Sequence, residues 1–129
     1  MEKPMRRQAI TSGRIAPPAG PFSPAIQAGG MIYLSGQVGQ DPVTGRLVDG
    51  DATRQMEQVL NNVRSVLEAA GRSLADVVRV GIYLTDMGDF QAINAVYARH
   101  FEAPYPARTT VAVAALPLGA AVELDLIAG

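Results

Sequence analysis

The chain has 129 residues, of which 48% are hydrophobic and 18% charged, a composition that supports one domain with a core and excludes a disordered protein. The formal net charge of -1 lacks the positive excess expected of a nucleic-acid binder, and the absence of cysteine excludes disulfides, thiolate nucleophiles and Cys-ligated metals. No apolar stretch approaches the roughly 20 residues of a spanning helix. We therefore expect a single domain over residues 1–129, cytoplasmic and without membrane contact.

The N-terminal part predicts short strands and one ordered loop. Residues 8–11 can form a first strand, and the proline-rich stretch 14–24 is a loop because prolines remove backbone donors. Residues 25–28 and 31–38 read as two strands. Between them, Gly29-Gly30 is typical of a two-residue hairpin turn.

The middle of the chain predicts a long amphipathic helix followed by a strand. Apolar residues recur along 52–70 at the spacing of one helical face. Asp51 is placed to cap the start of this helix, and Gly71 can end it in a left-handed conformation. The β-branched stretch 77–85 then reads as a strand.

The C-terminal part predicts a second helix and two more strands. Residues 90–101 carry aromatic and apolar side chains at helical spacing, with Asp89 as the expected N-cap. The strands 105–113 and 122–126 follow, and we expect the loop 116–119 to join them as a hairpin. Hairpins at both ends with two long helices between them indicate an α+β fold, with both helices on one face of a mixed sheet.

The last two predicted strands are largely apolar but carry Arg108 and Glu123. Burial of either charge without a partner is costly, so this pair indicates a candidate functional site. Alternation along a strand places Arg108 with Thr110, and Glu123 with Asp125. If the aliphatic faces of the strands pack against the helices, the other face collects Ser35, Arg108, Thr110 and Glu123. This face is either a site at a protein–protein interface or an ordinary solvated surface, and Arg108 and Glu123 can also form a simple ion pair.

Short segments in a fixed order along the chain carry a family resemblance. They are Gly20-Pro21-Phe22-Ser23, Leu34-Ser35-Gly36-Gln37, Asn61-Asn62-Val63, Leu84-Thr85-Asp86-Met87, Asn94-Ala95-Val96-Tyr97, Pro106-Ala107-Arg108 and Val122-Glu123-Leu124. With these segments the chain resembles the RidA family, the YjgF-type reactive intermediate deaminases, over nearly its whole length. The resemblance implies a chorismate-mutase-like α+β fold and a homotrimer with sites at its subunit interfaces.

The resemblance also implies an activity that needs neither a metal nor another cofactor. Members hydrolyse reactive enamines and imines, such as 2-aminoacrylate and 2-iminopropanoate, to 2-oxo acids and ammonia. Arg108 would bind the substrate carboxylate, because its planar fork donates two parallel hydrogen bonds. Glu123 would hold or activate the attacking water, helped by the backbone around Thr110.

Further residues of the predicted site follow from the same resemblance. Asn94 would supply a polar contact, and Ser35 and Gly36 would contact the substrate. Two positions depart from the family: Phe22 stands where tyrosine is common, and Thr110 stands where many members have cysteine. Both departures bear on substrate choice more than on the reaction.

Three other functions stay open on the sequence alone. The chain could be a ligand-binding or chaperone-like trimer without turnover, or a hydrolase for a different, bulkier imine, which Phe22 allows. A ribonuclease is disfavoured by the net charge. His100 is the single histidine, so Ser-His-Asp catalysis and His-rich metal sites are unsupported; we expect it to be a helix-end or surface residue.

Overall fold

The N-terminal hairpin forms as predicted. The computed structural model describes residues 6–129, beginning with strands β1 (Gln8–Ile10), β2 (Ala25–Ala28) and β3 (Met31–Val38). These strands pair antiparallel. Gly29 and Gly30 both adopt positive φ, 57° and 78°, which glycine accepts without steric cost and which a tight turn between twisted strands requires.

Helix α1 (Ala52–Ala69) confirms the predicted amphipathic helix. The Asp51 side chain accepts a hydrogen bond from the Arg54 amide at 3.1 Å, and Gly71 ends the helix with a φ of 72°. The buried apolar residues of the helix lie on one side, facing the sheet: Ala52, Met56, Val59, Leu60, Val63, Val66 and Leu67.

Strand β4 (Val77–Leu84) leads into helix α2 (Phe90–His100). The predicted cap at Asp89 is wrong, because its backbone is already helical and its side chain makes no capping bond. A short 3-10 turn, Met87–Asp89, precedes α2 instead, and the Asp86 carboxylate accepts a hydrogen bond from the Gly88 amide at 2.8 Å.

The last two strands, β5 (Ala107–Ala112) and β6 (Val122–Ala128), do not form the predicted hairpin. The sheet order is β1-β2-β3-β6-β4-β5, so β6 lies between β3 and β4, while β5 pairs with β4 in parallel at the edge. The segment β4-α2-β5 is a strand–helix–strand unit, and α2 supplies the crossover that parallel pairing needs. The fold class, a mixed α+β sheet with two helices, is confirmed.

The register of β5 corrects the predicted face of Arg108. In the parallel pairing, Arg108 is level with Val80 and Thr110 with Ile82, and partners in register share a face. Val80 and Ile82 are fully buried in the core under the helices. Arg108 and Thr110 therefore lie on the helix side of the sheet.

Glu123 lies on the opposite, open face, between the buried residues Val122 and Leu124 of β6. The prediction that Arg108, Thr110 and Glu123 share one face is thus wrong. It assumed that Val111 packs beneath the helices, whereas this side chain is 40% exposed on the open face of the edge strand.

One hydrophobic core fills the space between the helices and the sheet. Alternate residues of β6 are buried along the whole strand, as expected for a central strand with one covered face. Within the described residues, no helix has both the length and the apolarity needed to cross a membrane.

Candidate active site

The Arg108 cluster consists of Phe90, Asn94, Tyr97 and Arg108. Arg108 Nη2 donates a hydrogen bond to Asn94 Oδ1 at 2.5 Å. The Arg108 guanidinium carbon lies 4.8 Å from the centre of the Tyr97 ring and 5.6 Å from that of Phe90. Both distances fall within the range of a cation–π interaction.

Helix α2 presents these partners because of their spacing. Phe90, Asn94 and Tyr97 are four and three residues apart, which aligns them on one side of a helix. The crossover places this side against β5, where the parallel register brings Arg108 to the same level. The helix and the edge strand thus hold one guanidinium between an amide oxygen and two aromatic rings.

Two hydroxyl groups on this side of the molecule lack partners. Tyr97 Oη and Thr110 Oγ1 are buried, and neither has a hydrogen-bond partner among residues 6–129. Burial raises the pKa of Tyr97, against the opposing effect of the Arg108 charge, so the phenol stays neutral. Buried polar groups are normally paired, and these two groups are therefore available to a ligand, water or second copy of the chain.

The Glu123 cluster, on the open face, consists of Gly36, Tyr83, Glu123 and Asp125. Burial raises the pKa of Glu123, and the negative charge of Asp125 raises it further. Tyr83 donates a hydrogen bond from its hydroxyl to Asp125 Oδ2 at 2.9 Å. A carboxyl group with a raised pKa can both release and take up a proton more readily near neutral pH, which suits the group to proton transfer.

Gly36 makes room for the Glu123 side chain. A Cβ atom at this position would lie 2.8 Å from Glu123 Cδ and 2.9 Å from Oε1, so any side chain here would force the Glu123 carboxylate to move. Gly36 also lies where the β3–β6 register shifts, between Leu34 and Gln37. The irregular pairing and the missing side chain together set the position of the carboxylate.

Ser35 ties the proline-rich loop to this irregular part of β3. Its hydroxyl donates to the Ser23 carbonyl at 2.6 Å, and its amide donates to the Pro24 carbonyl at 2.9 Å. Phe22 projects from the same loop with 55% of its surface exposed. Ser35 therefore holds in place the loop that carries Phe22.

A single chain does not bring the two clusters together. β5 and β6 are two strands apart, about 10 Å across the sheet, and Arg108 and Glu123 project from opposite faces. Among the described residues Arg108 forms no ion pair with a carboxylate, so Arg108 and Glu123 do not pair within one chain. Among the cavities formed by residues 6–129, one of about 470 Å³ and one of about 400 Å³ have none of the predicted site residues in their lining, although Tyr83 and Asp125 of the Glu123 cluster line the second.

His100 is the last residue of α2, as predicted for a helix-end residue. Its Nδ1 accepts a hydrogen bond from Arg64 and its Nε2 donates to Glu57, both at 2.9 Å. These contacts tie α2 to α1. In the described part of the chain, no three His, Asp or Glu residues converge to hold a metal ion.

The sequence patterns do not identify Phe90, Tyr97 and Tyr83 as site residues. Helical spacing marked Phe90 and Tyr97 only as part of the apolar face of α2. Their contact with Arg108 depends on the crossover of α2 onto β5, which local periodicity does not reveal. The one signal available was an aromatic pair flanking Asn94 at helical spacing.

The fold and the two clusters define a small α+β protein with a guanidinium held between an amide oxygen and two aromatic rings on one face of the sheet and a partly buried carboxyl group on the other. The sequence model of the family described as Endoribonuclease L-PSP matches residues 13–129. The chain belongs to this family, which is the YjgF/RidA family, and the predicted membership is confirmed.

Three relatives show the extent of the similarity. Protein DfrA of Myxococcus xanthus is 48% identical over 126 residues, with 96% of each chain covered. The 2-iminobutanoate/2-iminopropanoate deaminase of Dermatophagoides farinae is 43% identical over 124 residues, covering 95% of this chain and 97% of the relative. The crystal structure of RidA from an Antarctic Psychrobacter has a TM-score of 0.90 and 43% identity, with 94% and 98% coverage.

Proposed function

We propose that this protein is a hydrolytic deaminase that converts reactive 2-imino and 2-enamino acids, such as 2-iminopropanoate and 2-aminoacrylate, to 2-oxo acids and ammonia. The observation that carries the proposal is the half-buried Arg108 guanidinium, which is held by Asn94 and two rings and is neutralised by no carboxylate of the described residues. Such a group binds a carboxylate-bearing ligand. The names of the deaminase relatives supply the substrate class.

Arg108 positions the substrate through its carboxylate. The Asn94 bond occupies one nitrogen of the guanidinium and fixes the orientation of the others. The Thr110 hydroxyl, two residues further on the same face, is buried and without a partner in residues 6–129. In the proposed reaction it bonds the substrate or the attacking water.

Glu123 handles the water. Its carboxylate takes a proton from water as the oxygen attacks the carbon of the protonated imine (the iminium ion), giving a neutral tetrahedral amino alcohol. Glu123 then passes this proton to the nitrogen. The carbon–nitrogen bond breaks as Glu123 takes the proton of the new hydroxyl group, so that the 2-oxo acid and ammonia leave, and ammonia takes that proton as ammonium. An enamine first takes a proton on its terminal carbon to become the iminium ion. The raised pKa of Glu123 suits both halves of this exchange.

The complete site needs a second copy of the chain. Because the sheet separates Arg108 from Glu123, one ligand reaches both only where the Arg108 cluster of one protomer faces the Glu123 cluster of its neighbour. Repetition of such a head-to-tail contact closes a ring, which agrees with the homotrimer implied by the family resemblance. Exposed Tyr33 and Val111 on the open face are suited to burial in this contact.

Phe22 and Gly36 shape the other side of the site, with Ser35 as the anchor of the Phe22 loop. The exposed Phe22 ring favours a second candidate, in which the same reaction acts on a bulkier, more apolar imine. The net charge of -1 gives no support to the nuclease activity that the family description mentions. The cytoplasmic location stays a prediction, to be tested by cell fractionation.

The test is a coupled assay with imines generated by an amino-acid oxidase from several amino acids, small and bulky. We expect faster formation of the 2-oxo acid with the protein than without it, and loss of the difference in Arg108→Ala. The order of rates across side chains separates the two candidates. Imine decay at the uncatalysed rate for every amino acid would contradict both and favour a ligand-binding protein without turnover.

A further inference from the structure

We propose that Tyr97 is a positioning residue for Arg108, a role that rests on the proposed function. The Arg108 guanidinium packs over the face of the Tyr97 ring, and it donates a hydrogen bond to Asn94 Oδ1. The Arg108 carbon is closer to the Tyr97 ring, at 4.8 Å, than to the Phe90 ring, at 5.6 Å. Tyr97 is thus the nearer of the two aromatic contacts.

Tyr97 is itself buried and packed on a second ring. It is 5% exposed, and its ring stacks on Phe101 with centroids 4.3 Å apart and an interplanar angle of 22°. Phe90, the other ring beside Arg108, is only partly buried at the start of α2. A rigid ring fixed in the core restricts the motion of the long arginine side chain, so less entropy is lost when the carboxylate binds.

An aromatic support also preserves the charge that the ligand needs. A carboxylate beside Arg108 would hold the guanidinium equally well but would compete with the substrate for its hydrogen bonds. A ring attracts the cation through its face and accepts none of the in-plane N–H groups. The Tyr97 phenol, which burial keeps neutral, fits this requirement.

Three variants separate positioning from core packing. Tyr97→Leu removes the ring beneath Arg108, and Tyr97→Phe keeps it. Phe101→Leu is the matched control, because it breaks the same stacked pair and empties a similar core volume without contacting Arg108. Thermal unfolding is measured first, and we expect both leucine variants to be folded at the assay temperature and destabilised to a similar degree.

The readout is the KM for 2-iminobutanoate together with the NMR signal of the Arg108 side chain, assigned by its loss in Arg108→Lys. We expect Tyr97→Leu to raise KM on the order of tenfold, with a smaller change in kcat, and to speed rotation of the guanidinium. Tyr97→Phe should restore KM to within about threefold of wild type. Phe101→Leu removes the stacking partner but keeps the Tyr97 ring next to Arg108, so its effects on KM and on the Arg108 signal should be clearly smaller than those of Tyr97→Leu.

Equal KM effects in Tyr97→Leu and Phe101→Leu, or none in either, would overturn the role of Tyr97 and leave the deaminase intact. A wild-type protein without turnover would overturn the proposed function instead. In that case guanidinium rotation, which requires no substrate, still decides whether Tyr97 holds Arg108: unchanged rotation in Tyr97→Leu contradicts the proposal.

Discussion

Arg108 and Glu123 lie on opposite faces of the sheet, on strands separated by β4. Arg108 projects toward α2, where it donates to Asn94, and Glu123 projects over Gly36 on the open face. The two groups that the proposed reaction uses are therefore both positioned by a single chain but do not meet within it. A composite site between copies is the arrangement that uses both.

Replacing Arg108 tests its proposed role in binding the substrate carboxylate. Arg108→Ala should lower kcat/KM about a thousandfold, because it removes two charge-assisted hydrogen bonds. Arg108→Lys should recover little of this loss, since an ammonium group cannot reproduce the planar fork. Size-exclusion chromatography should show an unchanged oligomer. Arg46→Lys, at an exposed loop position, is the control and should behave as wild type. Near-normal turnover of Arg108→Ala would exclude Arg108 from the site.

Replacing Asn94 tests the orientation of the guanidinium. Asn94→Ala removes the amide oxygen and should raise KM about tenfold, the equivalent of one hydrogen bond to a charged group. Asn94→Asp should be worse, because a carboxylate at 2.5 Å from Arg108 would neutralise the charge that binds the substrate. Asn61→Ala, on the exposed side of α1, should behave as wild type. An Asp variant as active as wild type would show that this contact does not tune Arg108.

The raised pKa of Glu123 predicts a pH-dependent stability difference. Burial and the Asp125 charge penalise the ionised carboxylate in the folded state. Ionisation of Glu123 therefore lowers the free energy of unfolding as the pH rises from the ordinary pKa of 4.5 through the raised pKa of the folded state. Glu123→Gln should therefore unfold at a higher temperature than wild type at pH 7. The difference should disappear below pH 4.5. A variant less stable than wild type at pH 7 would contradict the assignment.

The same pKa should limit activity at low pH. Glu123 acts as a base only when ionised, so kcat should rise with pH through its raised pKa. Asp125→Asn removes the neighbouring charge and should shift this acid limb to lower pH while keeping turnover. An acid limb that does not move in Asp125→Asn would show that Glu123 does not control it.

Gly36→Ala tests the space above β3. The new methyl group would meet the flexible Glu123 carboxylate rather than backbone, so the fold should survive while the carboxylate is displaced. We expect kcat to fall about tenfold, because a displaced carboxylate loses part of its general-base contribution. KM should change little. Gly13→Ala, where an added Cβ meets nothing within 4 Å, is the matched control, and equal effects of both substitutions would remove Gly36 from the site.

The long helix and the fold class could be predicted because their signals are local. Helix α1 combines strong apolar periodicity with a capping aspartate and a terminal glycine, and the structure follows within one residue. The Gly29-Gly30 turn is equally explicit. The insertion of β6 between β3 and β4 could not be predicted from these signals, because strand order depends on contacts between distant segments.

The face of Arg108 could not be predicted from β5 alone. Both sides of this strand mix polar and apolar residues, with Arg108 and Thr110 on one and Thr109 and Val111 on the other. Only the parallel register with β4 decides which side faces the helices. The same register brings Arg108 over the Tyr97 ring. Because helical periodicity contains no information about this register, it indicates only that Tyr97 is a core residue.

Complementation between two inactive variants tests the composite site most directly. Arg108→Ala and Glu123→Gln are co-expressed with different tags, and mixed oligomers are isolated through both tags and verified by native mass spectrometry. In every mixed trimeric ring, one interface joins intact Arg108 of one chain to intact Glu123 of another, so about a third of the sites of the isolated mixed trimers are restored. We predict that the mixed oligomers regain deaminase activity while each variant alone has little. Mixed oligomers no more active than the separate variants would contradict the account.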